Sequence, residues 1–170
     1  MQLQKTFMSA LLVSTFLGSP SMAADGSFVG AKWGVVDVEG DALDPAQNLG
    51  VLTGYQFSNG LGAEGEFTTT VVDGDLYVLG MKGGWSLNSA AAYGTYRLGD
   101  ALFMKARAGF MWQERSGEVA GISVSESDTN LSWGVAAGYA FADQHTALEA
   151  GYTSFDDEAS MWSMGVNYGF

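Results

Sequence analysis

A chain of 170 residues with a net charge of −12 is the size of one domain, and that charge disfavours nucleic acid, whose phosphates it would repel. The absence of cysteine rules out disulfides and a lipoprotein anchor. Abundant Gly and aromatics, two prolines and a mean hydropathy near zero suit a chain in which apolar and polar residues alternate along strands.

The chain starts with an export signal. Lys5 supplies an early positive charge, an apolar run follows from Phe7 to Leu17, and Ser21-Met22-Ala23 has the small-x-Ala form of a cleavage site. The run is too short for a spanning helix, which needs roughly 20 apolar residues. Residues 1–23 are therefore expected to be cleaved, leaving 24–170 as a single domain.

Eight strands are predicted after the signal, near 27–38, 48–57, 61–72, 85–98, 101–114, 129–142, 146–156 and 159–170. Ser58-Asn59-Gly60, Gly99-Asp100 and Asp143-Gln144-His145 read as tight turns. The segments 39–47, 73–84 and 115–128 read as long polar loops, and the connection at Asp157-Glu158 is short. Residues 75–84 are expected to prolong a neighbouring strand beyond the membrane, because a ninth stave would leave an odd count.

Each strand has two unlike faces. Val29, Ala31, Trp33 and Val35 oppose Gly30, Lys32 and Gly34; Ala63, Phe67 and Val71 oppose Glu64, Glu66, Thr68 and Thr70. Leu102, Met104, Ala106, Ala108, Phe110 and Trp112 oppose Lys105, Arg107, Gly109 and Gln113. Leu131, Trp133, Val135, Ala137, Tyr139 and Phe141 oppose a face of Ser, Gly and Ala. In the last strand Trp162, Met164, Val166, Tyr168 and Phe170 oppose Met161, Ser163, Gly165, Asn167 and Gly169. The face that carries the ions is also the one rich in Gly and Ala, hence the crowded, concave one. An apolar convex face requires lipid around it. The expected fold is all-β: an eight-stranded antiparallel up-and-down transmembrane β-barrel. Short turns mark the periplasmic rim and long connections the outer rim. Trp112, Trp133 and Trp162 then fall near the outer interface, and Tyr55, Phe57, Tyr96, Tyr139, Phe141, Tyr168 and Phe170 near the periplasmic one.

Lys32, Glu64, Glu66, Arg97, Lys105, Arg107 and Glu149 point inward on this register and are expected to form a lumenal charge network. Two readings stand side by side: polar packing of a filled lumen, or a gate in a narrow conducting path. A one-residue slip would put Lys105 and Arg107 in lipid, at roughly 2–4 kcal/mol each at mid-membrane, so the charges also help to fix register.

The outer connections are acidic: Asp37, Glu39, Asp41, Asp44, Asp73, Asp75, Glu114, Glu118, Glu126, Asp128, Asp156, Asp157 and Glu158, against Lys82 and Arg115. They read as a solvated surface, or as a surface for a basic or divalent-cation-bridged partner. No calcium-loop spacing is present, so neither a metal site nor a cofactor is expected. His145, the sole histidine, sits in a periplasmic turn beside Gln144 and Thr146, away from the rim where a lipid-modifying enzyme would need it.

The segments Phe28-Val29-Gly30-Ala31-Lys32-Trp33-Gly34, Ala92-Tyr93-Gly94-Thr95-Tyr96-Arg97, Lys105-Ala106-Arg107-Ala108-Gly109, Leu148-Glu149-Ala150-Gly151-Tyr152-Thr153 and Gly165-Val166-Asn167-Tyr168-Gly169-Phe170 carry a resemblance. In that order they resemble the small outer-membrane β-barrel family that contains the OmpA transmembrane domain, OmpX and the Omp25-like surface proteins of alphaproteobacteria. The resemblance implies a monomer in bacterial outer-membrane lipid, without enzymatic activity, in a structural or surface-interaction role. It also implies that Gly165, Val166, Tyr168 and Phe170 form the signal read by the barrel-assembly machinery. The peptidoglycan-binding domain of OmpA has no counterpart in these residues, so cell-wall anchoring is not implied. A narrow gated channel, and less readily a membrane-embedded lipid-modifying enzyme, are the alternative functions; a soluble lipocalin-like binder is the alternative fold.

Overall fold

The computed structural model describes residues 26–39, 43–78, 81–119, 122–142 and 145–170. The signal read at 1–23 lies outside them. The strands are β1 (Gly26–Val38), β2 (Ala46–Gln56), β3 (Leu61–Val72), β4 (Gly74–Val78), β5 (Met81–Leu98), β6 (Leu102–Val119), β7 (Ile122–Ala140), β8 (Thr146–Ser154) and β9 (Ala159–Gly169). All pairings are antiparallel. β3 pairs with β5 and β1 with β9, so eight staves close on themselves and the barrel wall has no open edge. β4 is not a ninth stave. It resumes the course of β3 after Asp73 and runs against the start of β5, from Gly74↔Trp85 to Val78↔Met81.

Local chemistry sets the two best-defined turns. Gly60 (φ 84°) and Gly99 (φ 99°) adopt the left-handed backbone that only glycine takes without strain. Asn59 Oδ1 accepts from the Leu61 N–H at 3.1 Å, closing the β2–β3 turn.

Strand parity follows the period-two reading. Phe110 (66% exposed), Leu131 (72%) and Trp162 (67%) stand out from the barrel, while Lys32, Glu64, Glu66 and Lys105 are buried inside it. So many large apolar side chains exposed around a closed wall are stable only against hydrocarbon.

One expected loop proves to be sheet, and the expected prolongation in 75–84 is present as a second extension. Residues 115–119 and 122–128 continue β6 and β7 without a register break from Leu102↔Tyr139 to Val119↔Ile122. Residues 74–78 and 81–85 form the second extension. The second sends Trp85 into a buried apolar cluster and Leu76 against it, whereas residues 123–129 of the first are exposed on both faces. No apolar alternation is required there, so the hydrophobic pattern gives no signal. Strand β2 also starts at Ala46, two residues ahead of its expected position, with Ala46 fully buried.

The core occupies the outer half of the lumen. Val36, Ala46, Trp85, Leu87, Met111, Phe155, Ala159 and Met161 form one buried apolar cluster, joined by partly buried Val38, Leu43 and Leu76.

Candidate functional site

Below this cluster six ions form a single alternating chain. Lys32 Nζ lies 2.6 Å from Glu66 Oε1. Glu66 Oε2 is 2.6 Å, and Glu64 Oε1 2.8 Å, from Arg107 Nη1. Lys105 Nζ continues the chain, 2.8 Å from Glu64 Oε2 and 2.9 Å from Glu149 Oε1. The order Lys32–Glu66–Arg107–Glu64–Lys105–Glu149 balances three cations against three anions. Residues two apart on β3 (Glu64, Glu66) and on β6 (Lys105, Arg107) meet because both pairs face the lumen and reach across β5. Every carboxylate except that of Glu149 is wholly inaccessible, so removal of any partner leaves a charge without solvent.

Arg107 is the centre of the chain. Its guanidinium also covers the Tyr93 ring at 4.6 Å and donates to Thr153 Oγ1. Tyr93 Oη in turn shares a 3.1 Å hydrogen bond with Ser132 Oγ. Two glycines make the room. A Cβ on Gly134 would come within 2.9 Å of Arg107 Nε, and one on Gly165 within 3.0 Å of Lys32 Cβ.

Arg97 faces the lumen but stays out of the chain. It stacks on Phe103, 3.7 Å from the ring centroid, and donates to the Asp100 carbonyl at 2.9 Å. Phe103 is buried and leans over Gly138, narrowing the periplasmic end. Between that end and the apolar cluster, a cavity of about 20 Å³ adjoins Lys32, Leu52, Arg107, Glu149 and Asn167. It has room for about one water molecule, and the buried Asn167 Oδ1, which lacks a protein partner, offers that water an acceptor.

The outer mouth carries a second polar cluster, of which the sequence reading placed Gln113 on the inward face and Asp156 and Arg115 in the outer connections. Asp156, in the β8–β9 turn and outside the spanning strands, accepts from Gln113 Nε2 at 2.7 Å and from Arg115 Nη2. Its other oxygen accepts from the backbone N–H of Glu158 (2.8 Å) and of Ala159 (2.7 Å). Burial pushes the Asp156 carboxyl up, but these donors and the Arg115 charge outweigh it and hold the group below the usual carboxylate range. Gln113 and Arg115 share the lumenal parity of Lys105 and Arg107; that parity is the signal available in the sequence.

Above the mouth, β4, β5, β6 and β7 stand together as an outer sheet. The β4 edge is covered: Leu43 bridges to Leu76, and Asp44 N–H donates to the Asp75 carbonyl at 2.9 Å. The β7 edge is not. β8 joins β7 only from Trp133↔Ser154 down to Ala140↔Ala147, so residues 123–132 have no strand on that side among the described residues. Lys82 pairs with Asp75 at 2.7 Å; Glu114, Glu118, Glu126 and Asp128 lie on β6 and β7.

At the last strand, Val166, Tyr168 and Phe170 project outward (44%, 52% and 71% exposed), whereas Gly165 faces the lumen against Lys32. The Tyr168 ring stacks on His145 with centroids 5.7 Å apart, and the Phe170 N–H donates to the Ser27 carbonyl at 2.9 Å. Trp133, Tyr152 and Trp162 form an outward aromatic row, with successive centroids 5.9 and 5.1 Å apart. No cluster of metal-ligating side chains occurs among the described residues.

The family model for the outer membrane protein beta-barrel domain matches residues 9–170. Among solved structures, the chain is similar to Ail, the attachment invasion locus protein of Yersinia pestis, at 21% identity and a TM-score of 0.60, over 86% of this chain and 97% of that one. It is similar to Neisserial surface protein A at 19% identity and a TM-score of 0.64, over 85% and 97%. It is also similar to the outer membrane protein OprG of Pseudomonas aeruginosa at 14% identity and a TM-score of 0.64, over 89% and 98%. At these identities the likeness is one of fold. No curated protein matches the chain.

Proposed function

The chain belongs to the outer membrane protein β-barrel family and is an integral protein of the bacterial outer membrane, and from that premise we propose a non-enzymatic surface-interaction role for it. The observation that carries the reading is the contrast between its two ends of investment. The lumen is filled by ion pairs and an apolar cluster. The ordered strands outside the membrane, by contrast, build an acidic sheet with one covered edge and one open edge. An open edge presents unpaired backbone groups and is where an extended partner segment can add.

The partner is a basic surface, or an anionic one bridged by divalent cations, since the sheet carries more acids than bases. The protein acts as a monomer. It is exported by means of residues 1–23, which are then removed, and assembled through recognition of Gly165, Val166, Tyr168 and Phe170 by the barrel-assembly machinery; the outward placement of Val166, Tyr168 and Phe170 supports the last step. The names of two structural neighbours, an attachment invasion locus protein and a surface protein, are in keeping with a surface role.

The test neutralises Glu114, Glu118, Glu126 and Asp128 to Gln or Asn together and measures attachment of proteoliposomes to polylysine surfaces, and to anionic surfaces with and without magnesium. Attachment by at least one route should fall, with the barrel still folded. Unchanged attachment by both routes overturns the proposal.

A further inference from the structure

We infer that the β8–β9 turn is a latched plug that seals the outer mouth of the barrel, with Phe155 as the stopper and Asp156 as the latch. Phe155 occupies the outer turn of the β8–β9 hairpin, a position that normally faces solvent. Instead it is fully buried, among Val36, Trp85, Leu87, Met111 and Met161. The cluster that takes in the ring draws on β1, β5, β6 and β9, and so on several walls of the barrel.

The two oxygens of Asp156 do separable work. Oδ1 accepts from the N–H groups of Glu158 and Ala159 and thereby shapes its own turn. Oδ2 accepts from Gln113 and Arg115, both on β6. β7 lies between β6 and β8, so this second set reaches over a neighbouring stave, and the geometry of a hairpin does not require it. Ser132 Oγ adds a third tie from β7, donating to the Ser154 carbonyl at 2.7 Å. The Glu39 N–H also donates to the Glu158 carbonyl at 2.8 Å, so loss of the Oδ2 contacts removes the ties to β6 and loosens the turn that carries Phe155, while every inter-strand ladder stays intact.

Asn48, Thr68, Ser89 and Gln113 are buried on the lumenal side as well, Ser89 directly opposite Gln113. Phe155 and its apolar cluster are thus the first barrier met from outside, and the six ions fill the lumen on the periplasmic side of it. This conclusion is independent of what binds the outer sheet.

The chain contains no cysteine, so a single introduced thiol reports on the mouth. Ser89→Cys places it at a fully buried position on the lumenal side of β5. Whole cells carrying this variant are treated with a small membrane-impermeant methanethiosulfonate, alone and combined with Arg115→Ala, with Gln113→Glu, or with Phe155→Ala. Charged hydrogen bonds are worth enough that each added change should accelerate labelling by about tenfold or more. Folding is followed in parallel by the mobility shift between unheated and boiled samples. The conservative Arg115→Lys, which keeps a cationic donor for Asp156, should leave labelling near the slow rate. Thr68→Cys provides a second reporter should Ser89→Cys fail to assemble. Equal labelling with intact and broken latch, in barrels shown to be folded, overturns the latch. Rapid labelling of Ser89→Cys alone overturns the seal.

Discussion

Removing the guanidinium of Arg107 tests whether the lumenal ions act as one chain. In Arg107→Ala, Glu64 and Glu66 lose the cation that links them, and the set becomes net negative by one. Lys32–Glu66 survives as a neutral pair, so the excess falls on Glu64–Lys105–Glu149. An uncompensated charge at such depth costs roughly 3–5 kcal/mol, and less where lumenal water reaches it. With a urea slope of roughly 1–3 kcal/mol/M, a loss of about 4 kcal/mol lowers the unfolding midpoint by about 1–4 M. The chain order then dictates which second change rescues. Glu64→Gln leaves Lys32–Glu66 and Lys105–Glu149; Glu149→Gln leaves Lys32–Glu66 and Lys105–Glu64. Both restore neutrality with every ion paired. The Glu64 change should recover more, because its side chain is wholly inaccessible while that of Glu149 is 15% exposed. Glu66→Gln should recover least, because it strands Lys32. Urea unfolding of the refolded protein in detergent, run on all four variants, reads the order directly. Equal recovery by the three second changes would refute the chain, and an unchanged midpoint in Arg107→Ala would refute its burial.

Three further outcomes are expected. Gly134→Val should destabilise the barrel by about 1–3 kcal/mol, because a Cβ there meets the Tyr152 carbonyl at 2.7 Å and Arg107 Nε at 2.9 Å; chemical unfolding measures it. Replacing Tyr168 and Phe170 together by Ser should lower the amount of assembled barrel in cells more than the yield of refolding in vitro, and equal losses in both would make these residues ordinary wall. Asp156 has a folded-state carboxyl below its unfolded value, so its stabilising contribution is present above the unfolded value and is lost as pH falls through the folded one. Asp156→Asn should therefore flatten the acid limb of a stability–pH curve, and superimposable curves would show that the latch carries no charge dependence.

The stave count and the facing of β1, β3, β6, β7 and β9 were legible because lipid outside and ions inside force a strict alternation. A single slip puts Lys105 or Arg107 into hydrocarbon, so the pattern is hard to misread. Where that constraint ends, so does the signal. The outer half of β7, with Ser123-Val124-Ser125, is wet on both faces and resembles loop. Parity places a side chain on a face but gives neither its height nor its angular neighbour. Arg97 therefore shared the inward set with Arg107 yet sits with Phe103 near the periplasmic end, and Glu149, an equal candidate for Arg107, belongs to Lys105. Phe155 was the least legible of all. It follows the last residue of β8 and is buried by a turn that folds back over the mouth, held by side chains from a strand two places away. Alternation encodes the wall of such a barrel; what fills and seals it depends on which strands are brought opposite one another, and that is fixed only when the sheet closes.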